Sequence, residues 1–192
     1  MVDYQETSFC ILNNQPAQLN IQDIFDFRKF NTFYGATYSA SRSFILKYLF
    51  YYQQINLIVG APLDRIQKEI QTTFEDLNNY YQVNNRKLSD INLDRDFLGA
   101  EMYIPQRGVI HSKIYLLSNK KLNNYRVITG SANLSLAAFS NTKDQYEEIN
   151  ISDNKKDYDL YFKRYQELIK HTTGYMDPET KKYLRKLGYF KS

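Results

Sequence analysis

"GVIHSKIYLLSNKKLNNYRVITGSANLS", residues 108–135, contains two apolar runs parted by a polar segment. The runs are rich in Val, Ile, Leu and Tyr and read as strands, and "SNKKLNNY" between them has the turn formers and charge of an exposed hairpin loop. Strands are therefore predicted at 109–118 and 125–130. The first carries His111, one of only two histidines in the chain, together with Lys113. Alternation along a strand puts the two on one face with Cβ positions about 7 Å apart, pointing into one pocket. The second run ends in Gly130, where the lack of a Cβ lets the backbone turn tightly, and Ser131 and Asn133 follow in the turn.

A histidine in an apolar run is more often a satisfied core residue than a reactive one, so its neighbours must decide. Farther on, in "QYEEINIS" within a strand predicted at 145–151, Ile149 and Ile151 have to face the core. Glu147 then shares their side while Glu148 points away. A carboxylate placed there needs a partner, and an imidazole is a natural one. Imidazole, ammonium, hydroxyl, amide and carboxylate are thus expected to converge. Such a set suits attack on a phosphodiester: the imidazole acts as nucleophile while lysine and asparagine hold the nonbridging oxygens as charge builds up. No metal or other cofactor is expected. Two histidines and one cysteine leave zinc ligands scarce, and Asp90, Asp94 and Asp96 read as solvated loop residues.

Upstream, "FNTFYGATYSA" (30–40) reads as a strand ending at small residues. After a serine cap at Ser41 or Ser43, Phe44, Ile45, Tyr48, Leu49 and Tyr52 recur at helical spacing. "QINLIVG" is a strand buried on both faces, and Leu63, Ile66, Ile70, Phe74 and Leu77 form the next helical stripe. A strand near 97–104 precedes the hairpin. A closing helix carries Tyr158, Phe162, Tyr165 and Leu168 or Ile169 on one stripe. Alternating helices and buried strands imply a parallel sheet between helices.

The apolar share of 43%, with 18 tyrosines and 12 phenylalanines, excludes a disordered chain. The single cysteine, Cys10, excludes an intrachain disulfide framework, and with no leader-like N-terminus a cytoplasmic protein is expected. The longest apolar stretch, Phe44 to Tyr52, is broken by Lys47 and too short to cross a bilayer, so no membrane partner is expected. A net charge of +4 permits a polyanionic partner without requiring one. The basic, aromatic tail "KKYLRKLGYFK" could track phosphates and stack bases, or could simply be a solvated amphipathic helix.

The pair "HSKIYLLS" and "GSAN", with a later glutamate, resembles the His-x-Lys and Gly-Ser-x-Asn signature of the phospholipase D superfamily, and the order of elements from about Phe30 onward is similar too. The resemblance implies an α/β fold, a mixed, largely parallel sheet flanked by helices on both faces. It implies a single domain over 1–192, with 1–29 as an N-terminal extension and 153–192 as a C-terminal helical segment. His111 then stands for the family's nucleophile, Lys113, Ser131, Asn133 and Gly130 for its phosphate-binding groups, and Glu147 for the glutamate that hydrogen-bonds the histidine. Ser118 replaces the family's aspartate, a departure similar to that of restriction and defence nucleases in the superfamily. The function implied is a metal-independent DNA endonuclease acting through a phosphohistidine at a homodimer interface, in a restriction, defence or mobile-element system, with a specificity or helicase partner. The alternatives are a catalytically inactive DNA-binding module of the same fold, or a lipid phosphodiesterase.

Overall fold

A computed structural model describes residues 8–11, 20–61, 68–83, 98–139 and 147–175. In chain order the elements are β1 (Ser8–Ile11), α1 (Ile21–Ile24), β2 (Thr32–Thr37) and α2 (Arg42–Phe44), which a π-helical turn at Ile45–Leu49 continues. Then come β3 (Gln54–Val59), α3 (Lys68–Val83), β4 (Gly99–Pro105), β5 (Ile114–Asn119) and β6 (Asn124–Gly130). The last are α4 (Leu136–Phe139), β7 (Glu148–Ser152), α5 (Lys155–Ile169) and β8 (Thr172–Gly174). One eight-stranded sheet runs in the order β1-β7-β6-β5-β2-β3-β4-β8.

The sheet is mixed, as expected, but its parallel pairings are confined to β2-β3 and β3-β4, and the other five are antiparallel. Helical crossovers join β2 to β3 and β3 to β4, which lie parallel as neighbours, whereas β5 and β6 are joined by a tight turn at Lys120–Asn123, which closes an antiparallel hairpin. Asn123, with φ of 55°, takes the left-handed conformation that asparagine tolerates in that turn.

Strict alternation divides the core between the two faces. Phe33, Ile55, Leu57, Met102, Tyr115, Leu117 and Ile128 face α1, α2, α3 and α4. Ala36, Ile58, Leu116 and Val127 face α5. The helical stripe after β2 is buried as predicted at Phe44, Ile45, Tyr48, Leu49 and Tyr52, with Ser41 as the cap that accepts from the Phe44 amide. On α5, Asn154 caps the first turn, Tyr158 and Tyr165 are buried, and Phe162 lies between them at ring distances of 5.9 and 6.4 Å.

Residues read as an N-terminal extension are part of this core. β1 pairs with β7 at the sheet edge, and Ile24 and Phe25 are buried, Phe25 edge-on to Phe44 and Phe139. Elements of four residues are too short to show a period, as is β8, which pairs with β4. Leu63, Ile66, Asp90, Asp94, Asp96 and the basic tail beyond Tyr175 lie outside the described residues. No helix among the described residues is long and apolar enough to cross a membrane.

Candidate phosphodiesterase site

Topology gathers the polar groups at one end of the sheet. Antiparallel pairing of β5 with β6 and of β6 with β7 places the start of β5, the end of β6 and the start of β7 side by side. The end of β2 joins them, since Ala36 lies opposite Ile114.

His111 and Lys113 precede β5 instead of lying within it, because residues 108–113 take their support from the end of β3. The Ile110 amide donates to the Gly60 carbonyl over 2.9 Å. A Cβ on Gly60 would lie 1.7 Å from the Ile110 carbonyl oxygen, so only glycine lets this segment cross there. The shared orientation survives the loss of strand pairing. Lys113 Nζ lies 3.1 Å from His111 Nδ1 and 3.3 Å from Nε2, and it donates to whichever nitrogen carries the lone pair. Lys113 is buried whereas His111 is exposed, the reverse of what an apolar run suggests for its histidine. Burial lowers the Lys113 pKa, and the Glu147 carboxylate works against that shift.

The turn after β6 is held from both sides. Gly130, with φ of 152°, has no room for a side chain: a Cβ would stand 1.9 Å from the Glu148 carbonyl oxygen. Ser131 donates through its hydroxyl to Glu147 Oε2 at 2.5 Å and accepts from the Glu148 amide at 3.0 Å. Glu147 is buried and Glu148 exposed, with Ile149 and Ile151 in the core, as alternation predicts. Asn133 Oδ1 faces the Ser39 amide and the Thr37 hydroxyl, each at 3.3 Å. With its oxygen held by donors, the amide turns its own N–H groups elsewhere.

Three residues of this site carried no motif. Tyr38 sets its ring 4.9 Å from the His111 ring, and Lys113 Nζ lies 5.9 Å from the centre of the Tyr38 ring. The buried Thr37 hydroxyl receives the Leu134 amide at 3.2 Å and lies 3.2 Å from the Tyr115 hydroxyl. Tyr115 in turn donates to the Ala132 carbonyl at 2.7 Å, and burial pushes its phenol pKa upward. Thr37 and Tyr115 thereby tie residues 132–134 to β2. Their signal was faint: a threonine and a tyrosine on core-facing positions, each with a hydroxyl to satisfy.

The family model for the NgoFVII restriction endonuclease N-terminal PLD domain, PLD denoting phospholipase D, matches residues 36–182. The chain belongs to this family. The matched span opens within β2 and includes every residue of the site described above. Two solved structures share the phospholipase D fold. Nuc from Salmonella typhimurium superposes with a TM-score of 0.59 at 13% identity, over 90% of this chain and 100% of that one. NucT from Helicobacter pylori does so with 0.56 at 12%, over 88% and 98%. No curated protein sequence matches the chain. The domain is thus a phospholipase D-type phosphodiesterase or nuclease domain of the restriction endonuclease branch.

Ser118, which stands where the superfamily has aspartate, lies at the far end of β5 opposite Thr32 and Tyr125. Five residue steps along extended chain, about 17 Å, part it from Lys113. It is buried and accepts from the Tyr158 hydroxyl of α5 at 3.1 Å. The position belongs to the packing of α5 on the sheet, not to the pocket.

Proposed function

We propose that the domain is a DNA endonuclease that needs no metal and works by two displacements at phosphorus. A ring nitrogen of His111 attacks the scissile phosphate, so that a P–N bond forms while the P–O bond to the leaving alkoxide breaks, and the alkoxide takes up a proton. Water then attacks the phosphohistidine, loses its proton, and the P–N bond breaks. Lys113, Ser131 and Asn133 hold the nonbridging oxygens, the glycine at 130 lets the backbone come close, and Glu147 orients the polar groups around the imidazole. The observation that carries this reading is the Lys113 ammonium against the His111 ring at 3.1 Å, beside the Ser131–Asn133 turn. Membership of the restriction endonuclease family supports DNA as the substrate and a restriction or related defence system as the setting, where a partner would supply sequence specificity or unwinding.

The test is digestion of plasmid DNA by the purified protein in EDTA, beside a phosphatidylcholine assay. Nicking in chelator supports the proposal. Binding without cleavage would favour an inactive module, and choline release a lipase. In the same assay Lys113→Ala cuts at least ~10²-fold more slowly, since a cation is lost where charge develops. Wild-type rates from Lys113→Ala would remove lysine from the mechanism.

A homodimer follows from the proton bookkeeping. The first displacement needs an acid for the leaving oxygen and the second a base for water, and one chain brings only His111 of this kind to the site. Two chains related by a twofold axis would bring two copies of His111, Lys113 and Asn133 face to face. Light scattering is then expected to give twice 22.8 kDa at micromolar concentration. Refolding wild-type chains with an excess of His111→Ala chains is expected to depress activity more than dilution does, because each mixed dimer lacks one histidine. Activity falling only in proportion to the wild-type fraction would mean that each chain works alone.

A further inference from the structure

The residues just before His111 form an exposed tongue with a fixed shape. Gln106, Arg107, Gly108 and Val109 are all exposed, and Val109 keeps 53% of its surface open. The tongue is anchored to the far end of α5. The Gln106 amide donates to the His171 carbonyl at 3.0 Å, and its side-chain nitrogen to the Thr172 carbonyl at 3.2 Å. Gly108, with φ of 64°, makes the turn back toward the site. Between tongue and helix end lies an open depression of about 350 Å³, lined by Gln106, Arg107, Val109, Ile110, Leu168 and His171. Its inner wall, Ile110, adjoins His111.

The lining is apolar at Val109, Ile110 and Leu168 and offers two nitrogen-rich donors, Arg107 and His171, at the rim. Neither forms an ion pair among the described residues, unlike Lys155, which pairs with Asp159, and Lys170, which pairs with Glu167. An unpaired guanidinium and an imidazole over an apolar floor, beside a phosphodiesterase site, complement a strand whose phosphates recur and whose sugars and bases present apolar faces. Four Cα–Cα steps separate Arg107 from His111, a reach of at most about 14 Å. Phosphates on one strand of a duplex rise about 3.4 Å per step along its axis, so Arg107 is in range of one a few steps from the scissile position.

We propose that this depression is the subsite for the DNA strand flanking the scissile phosphate, with Arg107 binding a neighbouring phosphate, His171 a second donor, and Val109, Ile110 and Leu168 against sugar and base. The proposal rests on the nuclease reading but is tested separately from it. Binding of a short labelled DNA duplex by the full chain carrying His111→Asn is measured by fluorescence anisotropy across a salt series. Adding Arg107→Ala is expected to weaken binding about tenfold and to lower the slope of log Kd against log salt by about one, the signature of one lost phosphate contact. In chains that keep His111, Arg107→Ala raises KM for DNA by a similar factor with kcat held. Turnover of bis(4-nitrophenyl) phosphate, too small to span the distance, keeps its kcat/KM. His171→Ala gives a smaller loss of the same pattern. Undiminished affinity and an unchanged salt slope in Arg107→Ala overturn the subsite, as does an equal loss on the small diester. A wild-type chain that cleaves neither substrate overturns the nuclease reading instead, while the anisotropy arm still decides the groove.

Discussion

Replacing His111 with alanine is expected to bring DNA cleavage down to the uncatalysed background, a fall of about 10⁴-fold or more. The size follows from the role: with the nucleophile gone, neither displacement can begin, and Lys113, Ser131 and Asn133 are left to polarise a phosphate that nothing attacks. The exposure of His111 keeps the test clean, since the hydrophobic core is untouched and only the Lys113 bond and the Tyr38 ring contact are lost, so the melting temperature should fall by no more than a few degrees. The loss must therefore appear in kcat with DNA affinity kept. Trapping gives a second readout. Denatured in the middle of turnover, the wild-type chain should carry one DNA end joined to a histidine through an acid-labile P–N bond, and His111→Ala none. Substantial cleavage by His111→Ala, or a DNA end joined to a different residue, would end the mechanism.

Asp153→Ala is expected to cost about 3–5 kcal/mol of stability, the typical cost of stranding one member of a buried ion pair. Arg126 is fully buried on β6. Its guanidinium meets Asp153 in a bidentate pair at 2.6 and 2.8 Å, donates to the Asp23 and Ile24 carbonyls at 2.7 and 2.9 Å, and stacks over Phe30 at 5.0 Å. Lys29 adds a contact to Asp153 at 3.3 Å. Removing the carboxylate leaves the guanidinium buried with carbonyl partners but without its counter-ion. At about 2–4 °C per kcal/mol for a chain of this size, the melting temperature should fall by roughly 10 °C. Glu167→Ala, which breaks the exposed pair with Lys170, should cost under about 1 kcal/mol. Equal melting temperatures for the two variants would mean that the buried pair contributes no more than a surface one. Because Arg126 holds α1 to the sheet, the unfolding of Asp153→Ala should begin in the segment around α1, as hydrogen exchange would show.

Much of the site was legible because its residues contradict their surroundings. A histidine and a lysine two apart in an apolar run, and a serine and an asparagine just after a strand-ending glycine, each demand an explanation that composition does not supply. Strand period then assigned Glu147 and Glu148 to opposite faces, as they are found. Periodicity failed where elements are short. β1, α1 and β8 span three or four residues each, less than the window over which a period can be seen. Arg126 gave no warning, since the acid that neutralises it lies 27 positions away.

The sequence by itself determined the residue types of the site, the hairpin that sets the start of β5 beside the end of β6, and the alternation that sorts side chains between two faces. These are local properties, settled by strand period and turn chemistry over a few residues. Tertiary structure alone decided that Lys113 is buried while His111 stays open, because that depends on residues 108–113 crossing Gly60 at a distance no side chain permits. It alone set Tyr38 against the imidazole and Thr37 against the turn at 132–134, contacts made by β2, whose place beside β5 is a matter of sheet order. It also set Ser118 against α5. Five residues along a strand carry a side chain to the other end of the sheet, and only the packing of α5 there shows what that position touches.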